Sequence, residues 1–458
     1  MFSAILNTFN NCFKIPELKS RIVFTLIVLG ICRIAALIPT PGLDSAALKN
    51  YFETMGGNNA NSLVGMYSLF TGGGFERCAI GTLGIMPYIS ATIIIQLLTA
   101  VIPHLSKLAR EEGGRSKIIQ YGRVLTLLLC IGQGFVMAIG WENAGDIFKG
   151  LNEPLVYNVG WWYRIQTTII LTTGTMLLMW LGEQITERGI GNGISLIITI
   201  GILARLPQAG QGLWDMFVPK EGVDSGFIGF HLIALILLLA AVIAGTIAVT
   251  QSQRKIPVQY AQRAVGRKVY SGGSSFMPLR VNYSGVMPVI FAQAILMFPA
   301  QIFSTLGAKY DIKFLVEIAN ALNRGSLVYI VLYGLMILFF SYFWVATQFN
   351  ELQIADDMKK SGGYIPGVRP GQATSDFLHK TMSRITLAGA IFLTIIAVIP
   401  ILLSEAMRIP YNVAQFFGGT SLLIMVGVML DTMRQMESHL LMRHYDGFLK
   451  KGRLKGRF

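Results

Sequence analysis

Apolar residues in this chain are gathered into ten long runs separated by polar or glycine-bearing breaks. The runs lie at Ile22–Leu37, Ala79–Ile102, Ile119–Ile139, Ile165–Leu181, Gly189–Leu206, Phe227–Val249, Gly285–Phe303, Leu327–Val345, Ile385–Leu403 and Val413–Leu430. A helix of roughly 20 apolar residues covers the hydrocarbon core of a bilayer, so ten such runs take about 200 residues and leave the rest for loops. The pattern predicts an all-α polytopic membrane protein with ten transmembrane helices. The first run begins only after Lys14, Pro16, Lys19 and Arg21, and no small-residue cleavage site follows it, so it reads as a retained span.

Two breaks stand out. In SLFTGGGFERCAIGTLGIMPYIS, Ser68–Ser90, the glycines Gly72, Gly73 and Gly74 interrupt an apolar stretch that starts at Leu63. Non-helical backbone inside a membrane must be enclosed by protein or line an aqueous cavity, because each unsatisfied amide in hydrocarbon costs several kcal/mol. The reading is a short half-inserted helix over Leu63–Phe70, a break, and a true span that starts near Arg77 or Ala79 and is kinked early by Pro87. The second break, RGIGNGIS at Arg188–Ser195, opens the fifth run. Glycine-interrupted segments mark pathways in membrane proteins, but small residues also let helices approach closely, and for glycine alone packing is the stronger reading.

Composition agrees with the membrane class: of 458 residues, 53% are hydrophobic and 14% charged, with a formal net charge of +14. The charge is unevenly spread. Lys107, Arg110, Arg115, Lys117 and Arg123 follow the second run; Arg254, Lys255, Arg263, Arg267, Lys268 and Arg280 follow the sixth. Lys359, Lys360, Arg369, Lys380 and Arg384 follow the eighth, and the end of the chain adds Arg443, Lys450, Lys451, Arg453, Lys455 and Arg457. Basic loops stay on the cytoplasmic side, which predicts that both termini are cytoplasmic. The segments 251–282 and 350–380 are longer than simple connections need, which suggests function.

Enzymatic machinery is not found. There is no G-x-x-x-x-G-K-[ST], H-E-x-x-H or G-x-S-x-G, and the five histidines are scattered. Cys12, Cys32, Cys78 and Cys130 lack C-x-x-C spacing and read as small packing residues. No metal or cofactor is expected. Carboxylates in mid-span are almost absent, with Glu183 and Glu187 near a span end, so a proton relay finds no residues. Arg33 lies inside the first run and is costly there unless it snorkels or pairs; it reads as a structural anchor.

The strings GIMPYISATIIIQLLT, MWLGEQITERGIGNGIS, GGYIPGVRPG and FFGGTSLLI closely resemble the bacterial SecY family of protein-translocating channels, from the second run to the tenth. The resemblance implies two pseudo-symmetric five-helix halves around a central pore, 1–206 and 207–432, followed by a basic cytoplasmic tail, 433–458. It implies a half-helix plug over about 61–75, with Leu63, Met66, Leu69, Phe70, Gly72, Gly73 and Gly74. It also implies a pore ring of Ile85, Ile89, Ile194, Ile198, Ile290 and Ile424. Spans two and three against seven and eight would form a lateral gate, with Gln96 and Pro87 in it. Arg267 and Arg369 would meet the motor ATPase SecA or the ribosome. The partners so implied are SecE, SecG, SecA, the ribosome, signal sequences, preproteins and membrane lipid; the site is the bacterial inner membrane and the activity passive, partner-driven polypeptide conduction. Read from residues alone, a small-solute transporter and a membrane-embedded enzyme are the alternatives.

Overall fold

Each of the ten apolar runs falls largely on a helix in the computed structural model of the chain. The structure describes residues 15–54, 68, 71–111, 113–147, 154–217, 229–260, 263–265, 268–270, 273–283, 285–310, 312–322, 326–407, 413 and 420–451. The long helices are α1 Pro16–Ala35, α2 Met86–Val101, α3 Gly114–Glu142, α4 Trp161–Arg188, α5 Gly193–Leu203, α6 Gly229–Gln251, α7 Met287–Tyr310, α8 Leu327–Gln348, α9 Gln372–Met407 and α10 Thr420–Lys451. Six described helices are long and apolar enough to cross a membrane. A bent pair, α2 with Pro103–Ala109, turned by 105°, makes up to seven. The helices α1, α7 and α10 also cover most of their apolar runs, and residues 414–419 of the tenth run lie outside the described residues.

The second span differs from its predicted form. It starts at Met86, not near Ala79, because the chain from Thr71 to Ile85 is a series of turns. The backbone there is stitched to the end of α1: Gly81 N–H donates to Ala35 O at 3.1 Å, Ile80 N–H to Ile38 O at 2.9 Å, and Thr40 N–H to Cys78 O at 2.8 Å. These bonds satisfy the groups that a helix would otherwise have paired. Pro87 stands in the first turn of α2, where its missing N–H is no loss, so it opens the helix instead of kinking it. Cys78 takes φ +48°, the one positive value for a non-glycine residue among the described residues. Cys32, Cys78 and Cys130 are buried free thiols, and Cys12 lies outside the described residues.

Within the first half, α2 packs on α3, α3 on α4, and α1 and α5 on α4; within the second, α7 packs on α8, α8 on α9, and α6 on α9 and α10. The halves meet along two seams, α2 and α3 against α7, and α5 against α10. A polar clamp ties the loop ends of α3 and α4. Arg164 pairs with Glu142 at 2.7 Å, the Glu142 side chain being only 2% exposed, and Arg164 also lies over the Trp161 ring at 5.4 Å. A charge buried so deeply is held by having its partner beside it.

Beyond the helices lies a small sheet that the sequence reading did not foresee. Strands β1 Gln253–Tyr260, β4 Ser274–Arg280 and β5 Gly363–Tyr364 form an antiparallel sheet in the order β4-β1-β5. The two long connections, 251–282 and 350–380, therefore share one folded unit. Ile256 and Val258 alternate with exposed neighbours on β1, as one buried face of a sheet requires. Ile256 packs with Leu279, Phe349, Ile365, Leu378 and Met382 in a separate apolar core. Pro257 fits in β1 because β5 pairs only with Gln259 and Tyr260, leaving the strand open on that side at the proline. A second hairpin joins β2 Arg263–Val265 to β3 Lys268–Tyr270.

Candidate functional site: waist, break and basic turn

The isoleucines singled out above sit at the starts of four helices. Ile89 N–H donates to Ile85 O at 3.1 Å, closing the first turn of α2, so the two side chains share a face. On α5, Asn192 Oδ1 accepts from the N–H groups of Ile194 and Ser195 at 3.1 and 3.2 Å. This N-cap starts the helix at the residue that places Ile194 and Ile198 one turn apart. Ile290 lies in the first turn of α7, its N–H on Val286 O at 3.3 Å, and Ile424 lies near the start of α10. Ile85, Ile89, Ile198, Ile290 and Ile424 are all buried in one apolar cluster drawn from both halves, and Ile194 is partly buried against it. At Gly427 an added Cβ would come within 2.4 Å of Val286 Cγ1, so α10 rests directly on the start of α7.

The glycine break abuts this cluster. Gly72 has φ +62° and Gly73 φ +85°, backbone that glycine alone adopts without penalty. Gly72 is also pressed against neighbours. A Cβ there would lie 2.3 Å from Arg33 Nη1 and 2.8 Å from Gly201 Cα, one turn beyond Ile198 on α5. Gly72 is therefore at once a turn in the backbone and a point of close packing. Arg33 Nη1 and Nη2 each donate to Gly72 O at 3.1 Å, which answers why an arginine stands in the first span. Ser68 Oγ donates to Glu76 Oε1 at 3.0 Å, and Arg205, just past α5, donates to both Glu76 and Ser68. Thr71 Oγ1 donates to Ser68 O at 3.1 Å and accepts from Phe75 N–H at 3.3 Å, so the break is bonded internally as well. Leu63, Met66, Leu69 and Phe70 lie outside the described residues.

At the second break, side chains from three helices meet the backbone. Ile190 N–H donates to Thr25 Oγ1 at 3.1 Å, Gly191 N–H to Gln435 Oε1 at 2.8 Å, and Gly193 N–H to Thr186 Oγ1 at 2.9 Å. Gln435 is on α10, so this turn joins the two halves. Thr25, Thr186, Asn192 and Gln435 were missed from the sequence. Of these only Asn192 had a local mark, an Asn directly before an apolar helical run.

Gln96 is half-buried on α2, and Pro87 is buried at its start, on the helix that meets α7. Arg369 is exposed at the end of a tight turn. Val368 N–H donates to Ile365 O at 3.0 Å, with Pro366 and Gly367, φ +83°, at the corners, the arrangement of a type II turn. Ile365 anchors it in the second apolar core, and Thr374 Oγ1 donates to Arg369 O at 2.9 Å. Arg267 lies outside the described residues, beside β3 in sequence.

A helical membrane protein with an apolar cluster shared by two halves and a glycine break against it has the architecture of a channel-type fold, and known proteins agree. The family model described as SecY matches residues 79–433. The chain is 42% identical over 457 residues to the protein translocase subunit SecY of Chlamydia trachomatis, covering 98% of this chain and 99% of that one. To the protein of that description in Escherichia coli it is 43% identical over 442 residues, covering 96% of each. Among solved structures it is similar to a protein conducting channel, with TM-score 0.60 and 18% identity over 95% of this chain and 94% of that one. It is also similar to a structure concerned with the SecY plug domain, described as stabilising the closed channel and maintaining a membrane seal, with TM-score 0.55 and 19% identity over the same shares. These likenesses show the fold. The chain belongs to the SecY family.

Proposed function

We propose that this chain is the central subunit of a protein-conducting channel. It passes unfolded secretory polypeptides across a bacterial inner membrane and releases transmembrane segments sideways into lipid. The observation that carries the reading is the single apolar cluster fed by both halves, which contains Ile85, Ile89, Ile198, Ile290 and Ile424 with Ile194 against it, next to a bonded glycine break. Branched side chains around a narrow waist exclude water, and an ion entering loses hydration with nothing to replace it. A polypeptide in transit replaces those contacts with its own side chains. In this reading residues 1–206 and 207–432 are the two halves, 61–75 the plug and 433–458 a basic tail, with both termini cytoplasmic. The seam of α2 and α3 with α7 and α8 is the lateral gate, where Gln96 supplies one polar contact. A signal segment leaves through it because burying apolar surface is worth roughly 25 cal/mol per Å².

The chain does no chemistry in this scheme, so the drive comes from partners. SecE and SecG complete the membrane unit, and SecA or a ribosome docks on the basic turns at Arg267 and Arg369. Guanidinium suits both carboxylate and phosphate. Reconstitution with SecE, SecG and SecA in vesicles tests the reading: preprotein that becomes protease-protected on ATP addition supports it, and uptake of a small solute without polypeptide transport sinks it. Arg369→Glu, on an exposed turn whose fold rests on Ile365, is expected to lower SecA-driven export by roughly tenfold through charge reversal at the docking surface. The seal against ions should stay intact. Export by the variant at the normal rate would remove Arg369 from that surface.

A further inference from the structure

We propose that Arg33, Arg205 and Glu76 form an electrostatic clasp that sets how apolar a signal segment must be to open this channel, an inference that rests on the channel reading above. Arg33 comes from α1 and Arg205 from the end of α5, yet both hold the same short piece of chain. Arg33 holds it by the Gly72 carbonyl, at 3.1 Å from both terminal nitrogens. Arg205 holds it by the Glu76 carboxylate and the Ser68 hydroxyl, and Ser68 is itself bonded to Glu76 at 3.0 Å. The Arg205 and Glu76 side chains are only 13% and 18% exposed, so removing one partner leaves the other charged and largely out of water.

The isoleucine waist packs without direction, whereas these bonds have fixed donors and acceptors and let go only when the geometry changes. The place of the clasp makes it sensitive to the waist. Gly72 rests against Gly201, one turn from Ile198, and a Cβ added at Gly84, next to Ile85, would stand 3.4 Å from Thr71 Cγ2. A segment that wedges into the seam of α2 with α7 shifts α2 relative to α1 and α5, whose arginines hold the break, and thereby works against the clasp. The apolar area that a signal segment buries in the gate must exceed that hold. A long apolar segment does so; a shortened one does not. Arg205 and Glu76 are thus positioning residues that decide which signals count.

The experiment uses vesicles with the full chain, SecE, SecG and SecA, and two preproteins, one with an intact signal and one whose apolar segment has been shortened. The readout is the ratio of protected shortened-signal product to intact-signal product. Glu76→Gln and Arg205→Gln are each expected to raise this ratio by roughly tenfold, as loss of a largely buried charge partner implies. Exchanging the charges, Glu76→Arg with Arg205→Glu, should bring it back towards the unaltered value, which a general loosening of the structure would not. An unchanged ratio in both single variants, or an exchange no different from them, overturns the clasp. If the single variants fail to accumulate, the exchange decides alone: accumulation with an unaltered ratio supports the clasp, and a raised ratio or failure to accumulate overturns it. Unaltered vesicles that export neither preprotein would overturn the channel reading itself, and the clasp with it; export of the intact preprotein separates the two failures.

Discussion

Vesicles carrying this protein leak chloride once Ile89, Ile194 and Ile290 are replaced together by glycine and residues 61–75 are removed. Ile89 and Ile290 are buried in the shared apolar cluster and Ile194 packs against it, so the triple change removes side chains from three of the four helices that carry the six isoleucines, α2, α5 and α7. In the proposed channel the seal has two layers, an apolar waist that water avoids and a bonded break beside it. Opening one alone leaves the other in place. If the waist costs an ion even about 3 kcal/mol, its loss speeds passage by roughly 100-fold. Chloride-sensitive dye trapped in the vesicles reads the rate directly. The triple change alone and the deletion alone should each leak less than the two combined, because either layer still obstructs hydration.

The second large effect lies where α4 and α5 cross. A Cβ on Gly193 would stand 1.9 Å from Gly182 O and 2.8 Å from Gly182 C. Both are backbone atoms, so no side chain can swing aside and the helices must part. Gly193→Ala should therefore cost about 3 kcal/mol or more, at or beyond the upper end for overpacking. It should also loosen the turn whose N–H groups reach Thr25, Gln435 and Thr186. Gly132, on α3, is the control: nothing lies within 4 Å of its added Cβ, and alanine there should gain up to about 1 kcal/mol of helix propensity. Thermal unfolding in detergent separates the two, with a fall for Gly193→Ala and none for Gly132→Ala.

The contrast between these glycines shows what the sequence could convey. Both stand in apolar surroundings, and only the crossing of another backbone makes one irreplaceable. Hydropathy placed the helices well because lipid demands long apolar runs whatever the tertiary contacts. It misplaced the start of α2, since residues 79–85 are as apolar as a span, yet their amides pair with the end of α1. The sheet escaped notice because its strands are short and mostly polar, with only Ile256 and Val258 alternating. Arg33 announced itself, an unpaired cation in an apolar run. Arg205 and Glu76 did not, since a partner 129 residues away leaves no local pattern. The isoleucines of the proposed waist were legible only through resemblance to a family; nothing about Ile290 by itself distinguishes it from the exposed Ile233.

The central claim is that a polypeptide threads the isoleucine cluster. A photoreactive residue placed in turn at Ile85, Ile290 and Ile424, and at Ile233 and Leu237, which are 65% and 67% exposed on the outer face of α6, tests it against a preprotein arrested midway. The account predicts covalent adducts to the arrested chain from the first three positions and none from the last two. Adducts of equal yield from both groups, or none from Ile290, would mean that the chain crosses the membrane by another path.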